Sequence, residues 1–190
     1  HRPEHQALPD DAIVYCSFGD ASANHSTAQG AFNAAQWTAY QSIPLPLLFV
    51  CEDNGIGIST KTPTGWIAAS FAHRPGLKYF ACNGLDIYET FRVAQEAADY
   101  ARKRKRPVFL HVGTIRLYGH AGADVPTTYL SREEVEAEEA NDPLLHAVRL
   151  LGEAGALTSA EALAIYEETN ARVARVDDGR PITKGTIMCG

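Results

Sequence analysis

The sequence predicts an α/β protein with a doubly wound parallel sheet. Two patterns predict this class: short apolar, β-favouring runs alternate with longer segments of helical periodicity, and turn-forming residues separate the two kinds of segment. Parallel strands joined by right-handed helical crossovers satisfy such an alternation. We therefore expect helices on both faces of the sheet and ligands beyond the carboxyl ends of its strands.

Four runs are predicted as strands of that sheet. Each is short, apolar and rich in β-favouring residues, as buried parallel strands are. They are Ala12 to Phe18, Leu45 to Cys51, Lys78 to Cys82 and Pro107 to Thr114. The first two runs stop at polar turn formers, which places Gly19-Asp20 and Asp53-Asn54-Gly55 at strand ends.

Helical spacing of apolar residues predicts the segments between and after the strands. Asn24 and Ser26 are available as N-caps before the first helix, and Gly155 is expected to end a later one. The predicted helices are Ala28 to Tyr40, Ile87 to Lys103, Ser131 to Glu139, Pro143 to Glu153 and Ser159 to Val176. Gly119 to Tyr129 follows the fourth strand without any period, so we expect a long functional loop there.

The length of the chain bounds its domain organisation. A chain of 190 residues is long enough for one domain with a substantial core. We expect residues 1–130 to form the α/β core and residues 131–190 to form a C-terminal helical extension of the same domain. Since the first residue is His1 rather than Met and a strand follows almost at once, we interpret the sequence as a fragment of a longer chain.

Composition and charge argue against several classes of partner. An apolar content of 45%, a charged content of 21% and a net charge of −6 are typical of a mildly acidic soluble protein, so nucleic acid is not an expected partner. No apolar run approaches the ~20 residues of a membrane helix. His1 to Pro9 also lacks the apolar stretch of a signal peptide, so neither a membrane nor export is expected.

The cysteines indicate the compartment. Cys16, Cys51, Cys82 and Cys189 form no CxxC pair, which argues against a zinc site or a dense disulfide framework. A reducing, cytoplasmic location is therefore predicted. We expect Cys16 and Cys51, which lie within predicted strands, to be small core residues rather than nucleophiles.

Candidate metal ligands follow the first two predicted strands. Mg²⁺ prefers oxygen ligands and usually retains phosphate oxygens, so the Asp20 carboxylate, the Asn54 amide oxygen and the Ile56 carbonyl suit it. The small residues Ala21 and Ser22 lead into a helix whose unpaired N–H groups favour a phosphate. Gly-Asp and Asp-Asn-Gly are also common turn formers, so the residues alone leave a purely structural interpretation open.

Two motifs carry a resemblance to a known family. The segments GDAS and EDNGIGIST resemble the two ends of its thiamine-diphosphate signature, Gly-Asp-Gly and Asn-Asn, and Asn24 and Asn33 occupy further positions of that signature. The segment IRLYGHAGADVPTTYLSREEV resembles the family's His-containing loop. From Ala12 to about Ala156, the chain resembles the alpha component of the branched-chain 2-oxo acid, pyruvate and acetoin dehydrogenases.

The resemblance implies a set of site residues. It makes the Asp20 carboxylate, the Asn54 side chain and the Ile56 carbonyl ligands of Mg²⁺. It also places His120 over the reactive ring of thiamine diphosphate, where an imidazole suits proton transfer near neutral pH. The implied cofactor-binding residues are Gly19, Asp20, Ala21, Ser22, Asn54, Ile56 and His120. Arg116 marks the same loop and is equally suited to a structural role.

Several positions depart from the family pattern. Ala21 stands for the second Gly of the signature and Asp53 for the first Asn. Glu52 stands where some members carry an Arg for the diphosphate, and Leu130 replaces an Arg after the loop tyrosine. These departures leave open whether cofactor binding is weakened.

The resemblance also implies a fold, a reaction and partners. The fold is the transketolase-like thiamine-diphosphate-binding fold, and the reaction is oxidative decarboxylation of a small 2-oxo acid with acyl transfer to a lipoyl-bearing acyltransferase. In the family a beta component supplies the catalytic Glu, so the active site is expected at an interface of a heterotetramer. Two alternatives stay open: an acetoin dehydrogenase or other thiamine-dependent lyase or transferase, and a non-catalytic subunit that retains the fold.

Overall fold

One parallel sheet organises the chain. The computed structural model describes residues 8–177, and its four strands lie in the order β1-β2-β4-β3 with every neighbouring pair parallel. The strands are β1 (Val14–Gly19), β2 (Leu47–Asp53), β3 (Lys78–Asn83) and β4 (Val108–Gly113). The predicted parallel α/β sheet is confirmed, and each strand boundary lies within two residues of the predicted one.

The described residues form six α-helices. They are α1 (Ser26–Tyr40), α2 (Trp66–Phe71), α3 (Ile87–Arg104), α4 (Arg132–Glu139), α5 (Pro143–Glu153) and α6 (Ser159–Asp177). Five of them confirm predicted helices, whereas α2 was not predicted. At six residues it is too short to show a period, and it is held in place by Ile67 and Phe71, which are fully buried.

The start of α1 differs from the prediction. The helix begins at Ser26 rather than Ala28, and its N-cap is His25, whose ring Nδ1 accepts a backbone N–H at 3.2 Å. Asn24 accepts the indole N–H of Trp66 at 2.7 Å instead of capping the helix. The predicted caps Asn24 and Ser26 were wrong because a contact with α2 uses the Asn24 side chain and Ser26 lies inside the helix.

A hydrophobic core lies on each face of the sheet. On one face α1 and α2 cover an aromatic cluster, in which the rings of Phe71 and Phe109 stack with centroids 4.1 Å apart and Phe32 packs edge-on against Phe71 at 5.0 Å. On the other face Val93 and Ala97 of α3 pack against the sheet. Helices on both faces confirm the doubly wound arrangement.

Burial in the sheet separates the cysteines. Cys51 lies in β2, between two other strands, and is fully buried, which confirms its assignment to the core. Cys16 is exposed, so its assignment to the core was wrong. The reason is that β1 is one of the two edge strands of the sheet, and its residues from Val14 to Ser17 are exposed. Cys189 lies outside the described residues.

The strand register brings the carboxyl ends together. Gly19 of β1 is paired with Glu52 of β2, and Asp53 at the end of β2 is paired with Gly113 at the end of β4. The segments that follow β1, β2 and β4 therefore all leave the sheet at the carboxyl ends of the strands, where ligands of such folds bind.

Contacts divide the chain into two compact units. The first ends at Pro143 and the second begins at Leu144. In the second unit, Gly155 adopts a positive φ of 67° shortly after α5, which confirms it as the stop of that helix. The domain boundary expected after residue 130 stays a prediction. Within residues 8–177, no helix has the length and apolar character needed to cross a membrane.

We expect Phe109→Ala to destabilise the protein by about 3–5 kcal/mol, because the truncation opens a cavity in the aromatic cluster. The matched control is Phe91→Ala on α3, whose side chain is exposed, and it should change the free energy of unfolding by less than about 0.5 kcal/mol. Urea denaturation of the full-length protein measures both. Equal losses in the two variants would contradict this assignment of the core.

Candidate functional site

A cavity opens at the carboxyl ends of β1 and β2. Its volume is about 350 Å³, and all of the residues predicted to hold the cofactor line it. The full lining is Gly19, Asp20, Ala21, Ser22, Asn54, Ile56, Gly57, Ile58, Arg116 and His120. Residues far apart in the sequence are thus brought to one place, while their roles stay predictions.

Asp20 is the deeply buried charged group of this cavity. It follows β1 directly, and only 1% of its surface is exposed. Its Oδ2 accepts the hydroxyl hydrogen of Thr62, a neutral partner. Burying a carboxylate is costly unless a cation or several hydrogen bonds offset its charge. The environment of Asp20 therefore favours a cation in the cavity.

A tight turn after β2 presents Asn54. Gly55 has a positive φ of 74°, and Asn54 Oδ1 accepts the Ile56 N–H at 3.2 Å across the turn. Asp53 Oδ1 accepts the Gly55 N–H at 3.1 Å, which braces the same turn from the strand side. An isolated antiparallel β-bridge pairs Ile56 with Lys61 through two backbone hydrogen bonds, one accepted by the Gly55 carbonyl and one donated by the Gly57 N–H. The Ile56 carbonyl takes no part in these two bonds.

These groups form a set of hard oxygen donors. Asp20, Asn54 and Ile56, which line one cavity, carry a carboxylate, an amide oxygen and a backbone carbonyl, and Mg²⁺ accepts such mixed oxygen ligands. Among the residues described, no group of three or more His, Cys, Asp or Glu side chains is arranged to hold a metal ion. The three oxygen groups fit a hard cation such as Mg²⁺.

Ala21 fits beside a glycine. A Cβ added to Gly57 would lie 3.1 Å from the Ala21 Cβ, which is closer than ordinary contact. The methyl group of Ala21 is therefore accommodated because residue 57 has no side chain. Ala21, which stands where the family has its second Gly, therefore fits into the wall of the cavity because its neighbour is Gly57.

The loop after β4 is connected to the turn after β2 through Arg116. The Nη1 of Arg116 donates to the carbonyls of Gly57 at 2.7 Å and Ile58 at 3.1 Å, and Nη2 donates to the Tyr129 hydroxyl at 2.7 Å. Tyr129 in turn donates to Asp124 Oδ2 at 2.7 Å. Arg116 thus has the structural role that the sequence left open, since its guanidinium bridges two walls of the cavity.

Asp124 closes the loop that carries His120. Its Oδ2 also accepts the His120 backbone N–H at 2.7 Å. The hydrogen bond from Tyr129, followed by the one from the His120 backbone, holds the pKa of Asp124 below its usual range. The carboxylate is therefore charged at neutral pH, and it anchors the backbone of His120, an exposed residue that lines the cavity.

Several partners of the site were missed by the sequence prediction. Thr62 is separated from Asp20 by 42 positions, and His111 is separated from Asp53 by 58 positions. No local spacing marks such pairs, because the contacts arise from sheet order and loop placement. Gly57 had a weak signal in the sequence, since it lies within the segment EDNGIGIST that resembles the family signature.

Cys51 is close to the site but is not a nucleophile. Burial, followed by the charges of Asp53, Asp20 and Glu52, raises the pKa of Cys51 to about 12. The thiol therefore stays protonated at neutral pH, and a protonated thiol is a weak nucleophile. This confirms the prediction that Cys51 is structural.

The chain matches the model of a known protein family. The model of the family described as dehydrogenase E1 component matches residues 5–177. The match spans both the β1-to-β4 sheet and the helices that follow it.

Two relatives with similar sequences are both named as alpha subunits of the pyruvate dehydrogenase E1 component. The mitochondrial pyruvate dehydrogenase E1 component subunit alpha of Saccharomyces cerevisiae is 31% identical over 166 residues, which cover 84% of this chain and 37% of the relative. The pyruvate dehydrogenase E1 component subunit alpha of Zymomonas mobilis is 31% identical over 179 residues, covering 92% of this chain and 48% of the relative. The chain thus spans between about a third and a half of the length of the curated relatives it matches.

We expect Gly119→Ala to open the loop around His120, because a Cβ at residue 119 would lie 2.3 Å from the Asp124 carbonyl oxygen. The matched control is Gly122→Ala in the same loop, where no atom lies within 4 Å of the added Cβ. Hydrogen exchange of the His120 amide should become faster on the order of fivefold in Gly119→Ala, as expected for a weakened hydrogen bond. Unchanged exchange in Gly119→Ala, or equal acceleration in both variants, would contradict the closed loop.

Proposed function

The chain belongs to the dehydrogenase E1 component family, and we propose that it is the cofactor-holding part of the alpha side of a 2-oxo acid dehydrogenase that depends on thiamine diphosphate and Mg²⁺. The single observation that carries this proposal is the buried Asp20 carboxylate, which borders a cavity shared with Asn54 and Ile56 and has a neutral hydroxyl as its partner. The names of similar proteins support the same reaction class.

Magnesium is the proposed cation at Asp20. The carboxylate would offset the charge of the ion, and the Asn54 amide oxygen and the Ile56 carbonyl would complete the protein's share of ligands. The remaining positions suit oxygens of a diphosphate, because octahedral Mg²⁺ commonly bridges protein oxygens and phosphates. Gly19, Ala21 and Ser22, which form the adjacent wall of the cavity, would line that diphosphate.

The protein's contribution to the chemistry is orientation and proton handling. Thiamine diphosphate, when bound, supplies the carbon nucleophile and electron sink that decarboxylation of a 2-oxo acid requires. Asp20 and Asn54 would fix its diphosphate end through the ion, so the reactive end is held in one place. His120 lies on the loop above the cavity and would accept or donate protons there, with its backbone held by Asp124.

Partners complete the proposed enzyme. We propose a beta component that supplies the catalytic Glu and a lipoyl-bearing acyltransferase that accepts the acyl group. Among residues 8–177, the lining of the cavity includes no Glu side chain, which is consistent with a shared active site. Pyruvate is a candidate substrate because it appears in the names of the relatives. A reducing compartment such as the cytoplasm suits the free Cys16, Cys51 and Cys82.

We expect Asp20→Asn to weaken binding of Mg²⁺ and thiamine diphosphate on the order of 100-fold, since it removes the charge while keeping the shape and a hydrogen-bond partner for Thr62. Calorimetric titration of the full-length protein with its beta partner measures the Kd. The control is Asp10→Asn at an exposed position away from the cavity, which should leave the Kd unchanged. Equal affinity of the wild type and Asp20→Asn would remove the metal role.

A further inference from the structure

The Asp53 carboxylate connects the Asn54 turn to the neighbouring strand. One oxygen, Oδ1, accepts the Gly55 N–H at 3.1 Å, and the other, Oδ2, lies 2.8 Å from Nε2 of His111 on β4. The Asp53 carbonyl also accepts the Thr114 N–H at 2.8 Å, so its backbone is held by the same side of the sheet. Asp53 directly precedes Asn54, and neither Asp53 nor His111 lines the cavity.

We propose that His111 is a positioning residue for the metal site: by holding the Asp53 carboxylate against β4, it orients the adjacent Asn54 amide toward the ion. The inference rests on the proposed function of the cavity. Hydrogen bonds from residues behind a metal ligand fix its orientation, and their loss typically costs about 10- to 100-fold in metal affinity. His111 acts through Asp53, so its expected role is in binding rather than in the chemical step.

Both ring nitrogens of His111 are engaged. Nδ1 lies 2.7 Å from the Tyr79 hydroxyl, while Nε2 contacts Asp53. The Tyr79 ring lies nearly parallel to Phe109, with centroids 6.1 Å apart, and Phe109 stacks on Phe71. An imidazole held at both nitrogens has little rotational freedom. The orientation of Asp53 is therefore coupled to the aromatic core beneath the sheet.

The N–H that reaches Asp53 is present in both charge states of the imidazole. Burial, with a smaller contribution from the Asp53 carboxylate, raises the pKa of Tyr79, so the hydroxyl keeps its proton at neutral pH. In the neutral ring the Tyr79 hydroxyl donates to Nδ1 and the Nε2–H donates to Asp53. In the imidazolium both N–H groups donate, and the Tyr79 oxygen accepts. The contact with Asp53 therefore does not depend on the charge of His111.

Loss of the imidazole would free the Asp53 carboxylate next to a proposed ligand. The Asp53 side chain is 20% exposed, so water replaces the missing N–H only in part. A carboxylate released from β4 can turn and compete with the Asn54 amide for the ion, because both are hard oxygen ligands. The turn would then offer the ion a different and less favourable geometry.

The test compares His111→Leu with His111→Gln in the full-length protein assembled with its beta partner. Leu removes the hydrogen-bond donor, whereas Gln keeps an amide N–H that can reach Asp53. Mg²⁺ is titrated at saturating thiamine diphosphate, and its Kd is measured by calorimetry, which does not require turnover. We expect His111→Leu to raise the Kd about 10- to 100-fold and His111→Gln to stay within about threefold of the wild type.

A double-mutant cycle separates positioning from general destabilisation. Asp53→Ala removes the same contact from the other partner, so its effect on the Kd for Mg²⁺ and that of His111→Leu should not add. Additive effects, or a Kd for His111→Leu within about threefold of the wild type, overturn the proposal. If His111→Leu does not fold, His111→Phe, which keeps a planar ring and removes the donor, takes its place: a rise of about 10- to 100-fold supports the proposal, and an unchanged Kd overturns it.

The wild type and Asp20→Asn are titrated in parallel to keep the two proposals apart. If the wild type shows no binding that depends on Mg²⁺, or if Asp20→Asn binds equally well, the proposed function fails and the role of His111 fails with it. If Asp20→Asn loses the ion while His111→Leu keeps the affinity of the wild type, the proposed function stands and only the positioning role is overturned.

Discussion

A buried carboxylate with a neutral partner is the constraint on which the rest of the site depends. Asp20 is 1% exposed and is bonded to the Thr62 hydroxyl, so its charge is not offset by a cationic side chain in the described contacts. Burying an uncompensated charge costs several kcal/mol in proteins. Such a cost is tolerated where a bound cation offsets it, and Asn54 and Ile56 line the same cavity. The proposed magnesium site follows from this electrostatic requirement.

The scaffold builds the cavity from segments that are distant in the sequence. The parallel register brings the ends of β1, β2 and β4 to one edge, and Arg116 then joins the turn after β2 to the loop after β4. Asp124 holds the His120 backbone in that loop. Hydrogen bonds to charged groups are stronger than neutral ones. They therefore hold exposed loops in place where little apolar surface is buried.

Two departures from the family pattern are matched by partners elsewhere in the structure. Ala21 lies against Gly57, which has no side chain to clash with the added methyl group. Asp53 is held by the Nε2 of His111. Each substitution is compensated by a residue that lies close in space and far along the chain. These two departures are therefore compatible with an intact cavity.

The sequence by itself determined the parallel sheet, five of the helices and seven of the ten residues that line the cavity, because these depend on short-range periodicity and on a motif with recognisable spacing. Only the tertiary structure decided that α2 forms, that Cys16 is exposed, and that Thr62 and His111 support the site. Each of these depends on contacts between distant segments or on the position of a strand within the sheet. Local propensity carries no information about such contacts, since strand order and loop placement are set by the packing of the whole domain.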